Sequence, residues 1–419
     1  MGQIVLSKGF EDYASVADAL SGVIENMQSR GREQIVDVKE SYARIAARDY
    51  LAKSNVPAFP TSHMDGFAVF SADLEHATAR ATVRLKTKGS GKLAVPPTSS
   101  LRHGEAVRVA TGGRLPSGAD AVLPLESVRE DGGLIEVSKP PQSGDLVYPA
   151  GADVRKGDLI LSSGQLIRAQ DVGMLIGLGV LRVKVRSRPT VSVIATGSEL
   201  SNSPHPPRGK VRNSHSSVLV RLCEGQGCIA SDRGVVADDV HEIRRAIQES
   251  ATDSDFVITL GGTSIGRHDH AGEAVRSLSP DVIFHGLKMD RGRVTGVAVV
   301  AGKPVLMAPG PVQGAVNAFI LLGIPVIRRL TGTKEREVLV PCKLGSDWKA
   351  RERFADFQKI VYVKLSTGRE STAEPLSGET ESMKVLLQAD GFIWVPEDVT
   401  RMNRGSDVTV RMLPGFSGF

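Results

Sequence analysis

Apolar residues near the start of the chain recur at helical spacing. Val16, Leu20, Val23, Ile24 and Met27 lie three or four positions apart, which predicts an amphipathic helix over 13–29. A second helix is predicted over 40–52, because Pro57 and its neighbours would end it. A third is predicted over 169–178, followed by a strand over 181–185. Residues 151–188 return to longer predicted elements, as in the first segment, so we expect 1–57 and 151–188 to form one elongated α-rich domain.

Between these two segments the periodicity changes from helical to alternating. Short alternating runs over 80–86, 105–110, 123–128 and 134–137 predict strands. The turn Asp131-Gly132-Gly133 predicts a hairpin between the last two. Because domains accept insertions at surface loops, we expect residues 58–150 to be an inserted β domain.

Strands and helices alternate over the next 140 residues or so. The predicted strands are 190–195, 229–236, 255–260, 282–284, 296–300 and 304–308, and the predicted helices are 217–225, 238–250 and 312–330. This alternation predicts a doubly wound, largely parallel sheet domain over 189–332. Residues 333–419 are again rich in β pattern and are predicted to form a C-terminal β domain, the fourth domain of an α/β multidomain chain.

Composition excludes several classes of protein. The chain has 419 residues, of which 41% are hydrophobic and 24% charged, which is typical of globular proteins. Its excess of 52 basic over 47 acidic residues is spread thinly, so no nucleic-acid partner is expected. Three cysteines predict no disulfide framework. The longest apolar stretch, 315–327, is interrupted by polar and turn residues, so we expect no membrane span and a cytoplasmic protein.

Glycine-bearing turns follow three of the predicted sheet strands. Backbone N–H groups in such turns form anion sites, and ligands bind beyond the carboxyl ends of the strands in doubly wound sheets. The alternative is that these are ordinary strand-to-helix turns. The candidate substrate-binding residues in them are Gly197, Ser198, Gly261, Gly262, Ser264, Gly266, Pro309 and Gly310.

Carboxylates follow the same strands. Glu199, Asp238 and Asp269 are candidate ligands of Mg²⁺, which proteins hold through one or two carboxylates together with phosphate oxygens. Asp238 could instead cap a helix, and Asp269 could be a surface loop residue or a cap. The run Arg267-His268-Asp269-His270 is more typical of a solvated loop than of a transition-metal site.

Several motifs together resemble one family. Met64-Asp65-Gly66-Phe67-Ala68-Val69 resembles the MDGYAV signature of the MoeA family, the molybdopterin molybdotransferases, which include the C-terminal domain of gephyrin. Further segments are similar to that family's motifs in the same order along nearly the whole chain. They are 111–122, 151–154, 196–200, 261–269, 375–378 and 389–391.

The resemblance implies a fold and an activity. It implies a sheet domain of MogA/MoaB type, an elongated domain with an inserted β domain, and a C-terminal barrel-like domain. It also implies insertion of molybdate, or tungstate, into adenylylated molybdopterin (molybdopterin-AMP), with Mg²⁺-dependent release of AMP. The implied partners are a second copy in a homodimer and the upstream molybdopterin adenylyltransferase.

The same resemblance implies roles for particular residues. Asp65, Asp153 and Glu199 are the implied catalytic residues, and Asp238, Asp269 and Glu199 the implied metal ligands. Thr111 and Asp238 are implied to bind substrate. Cleavage of a phosphoanhydride agrees with this set, because a carboxylate-held cation neutralises charge on phosphate oxygens.

The anion-binding motifs depart from the family's pattern. Asp290 stands where the family has a lysine, although Arg291 and Arg293, both candidate substrate-binding residues, restore positive charge nearby. Pro311 replaces an asparagine and Gly314 a serine. Asn213-Ser214-His215 and Leu260 also differ from the family's residues. These changes leave open a divergent paralogue that binds molybdopterin or a partner protein without metal insertion, or an enzyme acting on another nucleotide-linked cofactor.

Overall fold

A computed structural model gives the fold of residues 13–28, 31–88, 100–264, 269–334, 337–366, 368, 370–378 and 382–413. A six-stranded sheet forms the middle of the chain. From edge to edge its strands are Ile229–Val236, Thr190–Thr196, Phe256–Leu260, Lys303–Ala308, Gly296–Val300 and Val282–His285. The first four are parallel, and the last two are antiparallel to their neighbours. The predicted doubly wound, largely parallel sheet is therefore confirmed.

Helices cover both faces of this sheet because its strands are apolar on both sides. Val193 and Ile258 face one core cluster, whereas their neighbours Ile194 and Val257 face the other, as the two-residue period of a strand requires. The helices of the first cluster are Val16–Asn26, His215–Gly225 and those within 312–331, and the helices of the second are Val240–Asp253 and His270–Arg276.

One helix of the described residues passes a length and apolarity test for a membrane span. Val312–Thr331 is long and apolar enough to cross a membrane, but 83% of its most apolar window is buried. It consists of Val312–Ala318, a π-helical turn over Phe319–Gly323 and Ile324–Thr331. The π turn precedes Pro325, whose missing N–H cannot continue an α-helical ladder. The helix is therefore a core helix.

The first predicted helix is confirmed, and the second prediction is wrong. Val16–Asn26 is helical and is capped by the Ser15 hydroxyl, which accepts from the Asp18 N–H at 3.0 Å. Within 40–52, a 3₁₀ turn over Val38–Glu40 is followed by irregular chain in which Ala43 has a φ of 58°. The backbone N–H groups of Ala43, Ala46 and Ala47 donate to carbonyl oxygens within residues 165–184 and not to carbonyls one helical turn earlier. Long-range pairing thus overrides local helix propensity.

The rest of the two outer segments forms a small core. Glu33–Asp37 pairs antiparallel with Arg182–Arg186, and Tyr50–Leu51 pairs with Leu159–Leu161. The predicted third helix is confirmed over Ala169–Gly177. Its Leu175 contacts Ile167 and Val183 in the buried cluster.

A second six-stranded sheet lies between these segments. Its strands, from edge to edge, are Ala121–Pro124, Gly66–Val69, Glu105–Val109, Val83–Lys88, Leu134–Val137 and Val128–Asp131. A short antiparallel pair, Thr61–Ser62 with Val147–Tyr148, and 3₁₀ turns over Ser71–Leu74 and Leu125–Ser127 complete it. The predicted hairpin is corrected in one respect, because the turn at Gly132-Gly133 joins 134–137 to 128–131, and the strand 121–124 pairs instead with 66–69.

The C-terminal residues form a closed five-stranded barrel. Its strands are Leu339–Leu344, Thr372–Pro375, Lys359–Ser366, Gly391–Val395 and Asp407–Met412. Trp348–Lys349 pairs with Arg401–Met402, and Glu352–Phe354 and Met383–Gln388 are short helices. The hydroxyl of Tyr362 donates to the Asn317 amide oxygen at 2.7 Å, so the barrel is tied to the sheet's core helix.

One buried ammonium group holds two loops of the barrel together. Lys359 is only 2% exposed. Its Nζ lies 2.6–3.2 Å from the carbonyl oxygens of Ala355, Pro396, Glu397 and Val399. A buried charge is tolerated when its hydrogen bonds are satisfied.

We expect Lys359→Met to lower the free energy of unfolding by about 2–4 kcal/mol, because it leaves buried carbonyls without a donor. Denaturant unfolding measures this, with Lys364→Met, on the exposed side of the same strand, as the matched control. Equal stability of the two variants would contradict this role for the Lys359 ammonium.

Candidate functional site

Three glycine turns meet at one edge of the central sheet. The strands 190–196, 256–260 and 303–308 are adjacent and parallel, so their carboxyl ends lie side by side. Beyond these ends is a cavity of about 780 Å³, which we call the strand-end cavity. The predicted site residues that line it are Gly197, Glu199, Asp238, Gly261, Gly262, Ser264 and Gly310.

Close backbone approach explains two of these glycines. Gly261 and Gly262 have φ values of +93° and +64°. A Cβ on Gly261 would lie 2.6 Å from the Thr196 carbonyl oxygen, and one on Gly262 would lie 2.7 Å from the Thr196 Oγ1. Only glycine fits such a turn without strain. The turn therefore lies directly against the end of the neighbouring strand.

Hydrogen bonds connect the first turn to Asp238. The Ser198 N–H donates to the Asp238 carboxylate at 2.9 Å, and the Asp238 N–H donates to the Ser198 hydroxyl at 3.4 Å. The helix 240–253 is capped by Asp239, which accepts from His241 and Glu242 N–H groups. Asp239, and not Asp238, is therefore the cap of this helix. Asp238 instead lines the strand-end cavity together with Glu199.

Asp269 has a different surrounding. Its carboxylate accepts from the Gly272 N–H at 3.1 Å as the cap of the helix 270–276, and lies 3.2 Å from both Arg276 Nη1 and His285 Nδ1. It does not line the strand-end cavity, although the next residue, His270, does. No group of three or more His, Cys, Asp or Glu side chains suited to a metal occurs among the described residues. Gly266 lies outside the described part of the chain.

Three further predicted site residues, Asp65, Thr111 and Asp153, lie elsewhere in the same chain. Thr111 donates to the Asp65 carboxylate through its N–H at 2.8 Å and its hydroxyl at 3.0 Å. These bonds hold the pKa of Asp65 below its usual range, the backbone bond having the largest effect. Asp153 is exposed, and its N–H donates to the Val56 carbonyl at 3.0 Å. Asp65, Thr111 and Asp153 do not line the strand-end cavity of their own chain.

Arg291 lines a second cavity, of about 380 Å³, between the central sheet and the barrel, which we call the junction cavity. Its Nη1 donates to the Gln313 amide oxygen at 2.8 Å. The Asp290 carboxylate forms an ion pair with Arg351 of the barrel in the same cavity. The Arg293 guanidinium lies 5.1 Å from the centre of the Phe354 ring.

Pro309 lines neither the strand-end cavity nor the junction cavity, and Gly314 lies close to both Pro309 and Arg291. A Cβ on Gly314 would lie 3.2 Å from Pro309 Cβ and 3.3 Å from the Arg291 carbonyl oxygen. Gly314, which replaces the family's serine, therefore stands where a side chain would press against both Pro309 and Arg291.

Sequence reasoning missed several residues that line the strand-end cavity. His215 contacts the Gly310 carbonyl oxygen through Nδ1 at 3.0 Å. The Thr263 hydroxyl is buried without a hydrogen-bond partner among the described residues. Arg212 supplies a positive charge. The segment 213–215 carried a signal, since it differs from the family's motif, whereas nothing in the local sequence distinguishes Arg212.

Comparisons with known proteins agree with this architecture along the chain. Residues 14–179 match the MoeA N-terminal region (domain I and II), 192–329 match a probable molybdopterin binding domain, and 341–413 match the MoeA C-terminal region (domain IV).

Individual relatives match over nearly their full length. A molybdopterin molybdenumtransferase of Staphylococcus aureus is 31% identical over 402 residues, covering 94% of this chain and 94% of that protein. One from Bacillus subtilis is 28% identical over 394 residues, covering 93% and 91%. Among solved structures, a molybdopterin biosynthesis MoeA protein of Pyrococcus horikoshii matches with a TM-score of 0.83 at 28% identity, covering 97% of this chain and 100% of that one. The chain therefore belongs to the MoeA family of molybdopterin molybdenumtransferases, which are transferases of molybdenum cofactor biosynthesis.

Proposed function

We propose that this protein inserts molybdate or tungstate into adenylylated molybdopterin and releases AMP in a Mg²⁺-dependent step. The observation that carries the proposal is the strand-end cavity, where three glycine turns and two carboxylates meet. Its volume of about 780 Å³ lies within the range of small-molecule sites. Backbone N–H groups of its turns suit phosphate oxygens, and the unpartnered Thr263 hydroxyl offers a further hydrogen bond.

Two carboxylates fit the expected magnesium ion. Glu199 and Asp238 line the strand-end cavity, and one or two carboxylates with phosphate oxygens are a usual Mg²⁺ environment. Mg²⁺ would supply charge neutralisation at the cleaved phosphoanhydride. Asp269 fits this role less well, because its carboxylate already accepts from Gly272 and pairs with Arg276 and His285.

We assign oxyanion binding to the junction cavity, because Arg291 lines it and its neighbour Arg293 lies at the same junction. Planar guanidinium groups bind oxyanions through paired donors. The ion pair between Asp290 and Arg351 reduces the positive charge available there. That pair favours a second candidate function, in which the protein binds molybdopterin without inserting metal.

We further propose that the site is completed by a second copy of the chain. Asp65, Thr111 and Asp153 do not line the strand-end cavity of their own chain, yet the resemblance assigns all three to the site. Several large apolar side chains on segments 1–57 and 151–188 are each more than half exposed, and exposed apolar surface is typical of interaction sites. They are Ile35, Tyr42, Leu51, Leu159 and Leu181.

Two further proposals concern the cellular setting. The upstream molybdopterin adenylyltransferase, which would supply the substrate, is a proposed partner. A cytoplasmic location is proposed because all three cysteines are free and buried, as is usual in a reducing compartment.

Glu199→Gln should lower AMP release about 100-fold or more, because it removes a carboxylate charge from the proposed Mg²⁺ site. The assay incubates the protein with adenylylated molybdopterin, Mg²⁺ and molybdate or tungstate, and measures AMP and pterin-bound metal together. The matched control is Glu249→Gln, which removes the same charge from an exposed helix position. Full activity of Glu199→Gln would overturn the assignment.

The same assay separates the two candidate functions. Release of AMP with stoichiometric metal insertion by the unaltered protein supports the first. Tight binding of the pterin without AMP release at any oxyanion concentration supports the second.

Thr111→Val should shift the acid limb of the activity profile to higher pH. The carboxylate of Asp65 has to be ionised to accept a proton from attacking water, and the Thr111 hydroxyl helps to lower its pKa. Loss of that hydroxyl raises the pKa of Asp65, so activity is lost at a higher pH as the solution is acidified. The rate of AMP release against pH measures the shift, with the exposed Thr400→Val as control. An unchanged acid limb would exclude Asp65 as the ionising group.

A further inference from the structure

A third cavity lies at the opposite end of the central sheet. It has a volume of about 650 Å³ and is lined by residues within 43–45, 186–188, 224–230 and 327–333; we call it the arginine cavity. The strands 190–196 and 229–236 begin beside it and end at the strand-end cavity. A strand of this length spans about 20 Å, so the two cavities are separate.

The cavity lining is strongly basic. Arg44, Arg186, Arg188 and Arg328 line it, and among the described residues Glu224 is the one acidic residue in the lining. Glu224 is already paired with Arg221 outside the cavity. The cavity therefore carries more positive than negative charge.

Two of the four arginines have no carboxylate partner among the residues that the structure describes. Arg186 pairs with Glu33, and Arg328 pairs with Glu337. Neither Arg44 nor Arg188 forms an ion pair with a carboxylate in the part of the chain that the structure describes.

Arg44 is the more unusual of the two because it is buried, with 9% of its surface exposed. Its Nη2 donates to the Arg186 carbonyl oxygen at 2.9 Å. When the side-chain amide of Gln34 is placed with its oxygen facing Arg44, that oxygen accepts from Arg44 Nη1 at 2.7 Å and from Arg44 Nη2 at 2.6 Å. Burial and, secondarily, the charge of Arg188 lower the pKa of Arg44. A buried charge held only by neutral acceptors is costly unless an opposite charge joins it.

Several N–H donors of these arginines have no hydrogen-bond partner among the described residues. The Nε of Arg186 is buried without a partner among the described residues. Arg44 uses three of the five N–H donors of a guanidinium. Arg188 is exposed at the cavity and carries five donors of its own. Apolar side chains of Ile45, Leu166 and Ile327 form part of the remaining wall.

We propose that the arginine cavity binds a small organic anion, in which one phosphate or carboxylate group is attached to an apolar body. The anionic group meets the donors of Arg44, Arg186 and Arg188, and the apolar body contacts the aliphatic side chains. This site is distinct from the one proposed for the pterin substrate, and it does not depend on the transferase reaction. Charge-assisted hydrogen bonds of this kind are among the strongest that proteins form.

The test uses phenyl phosphate as the probe, with the full-length protein in isothermal titration calorimetry. Saturable binding that is tighter than that of inorganic phosphate is expected, because the ring adds apolar contact. Benzoate, titrated in parallel, shows whether the site prefers a carboxylate or a phosphate group. Absence of saturable binding for both phenyl phosphate and benzoate would overturn the proposal.

Arg188→Gln should weaken phenyl phosphate binding about tenfold, because it removes a charged donor. The matched control is Arg245→Gln, which removes the same charge from an exposed helix and should bind as the unaltered protein does. Equal affinity in both variants would place the probe elsewhere and contradict the proposal.

A thermal measurement separates loss of binding from loss of folding. The melting temperature of Arg188→Gln without ligand should not fall below that of the unaltered protein, since Arg188 has no carboxylate partner among the described residues and its charge repels that of the buried Arg44. Phenyl phosphate should raise the melting temperature of the unaltered protein more than that of the variant. A lower melting temperature of the unliganded variant would show that Arg188 is a structural contact and would overturn its role as a ligand donor.

Discussion

Parallel pairing of three central strands is the constraint on which the site depends. The strands 190–196, 256–260 and 303–308 share one direction, so the turns that follow them open at one edge. Gly261 and Gly262 then allow their turn to approach the Thr196 backbone and side chain. A reversed strand would move its turn to the opposite edge of the sheet. The position of the strand-end cavity is therefore set by the direction of these strands and not by any one side chain.

Sequence periodicity predicted this sheet because most of its strands are apolar runs that alternate with helices of helical apolar spacing. The strand 229–236 agrees residue for residue with the prediction. The failure over 40–52 has a physical cause, since backbone groups there pair with residues 165–184, which no local pattern reveals. The residues of the candidate site were likewise only partly predictable from the sequence. Glu199 and Asp238 were found because they follow strands, whereas Arg212 and Thr263 are recognised only once the folded cavity shows which side chains line it.

Placement of charge distinguishes the candidate site residues from one another. Asp269 and Asp290 are close to proposed ligand sites, but each is engaged within the chain, by Arg276 and His285 and by Arg351 respectively. Asp65 is held in its ionised form by Thr111, which lies in the turn after the strand 105–109. Carboxylates that resemblance places in one set therefore have different physical surroundings. A single chain brings Glu199 and Asp238 to the strand-end cavity and leaves Asp65 outside its lining.

In the proposed dimer two chains share each site, with Glu199 from one and Asp65 from the other. Subunit exchange between Asp65→Ala and Glu199→Ala tests it most directly, because a mixed dimer would contain one site with both native carboxylates. Each variant alone should be inactive, and an equal mixture should recover about a quarter of the unaltered AMP-release rate after statistical exchange. A mixture that exchanges subunits but remains as inactive as its parents would contradict the shared site.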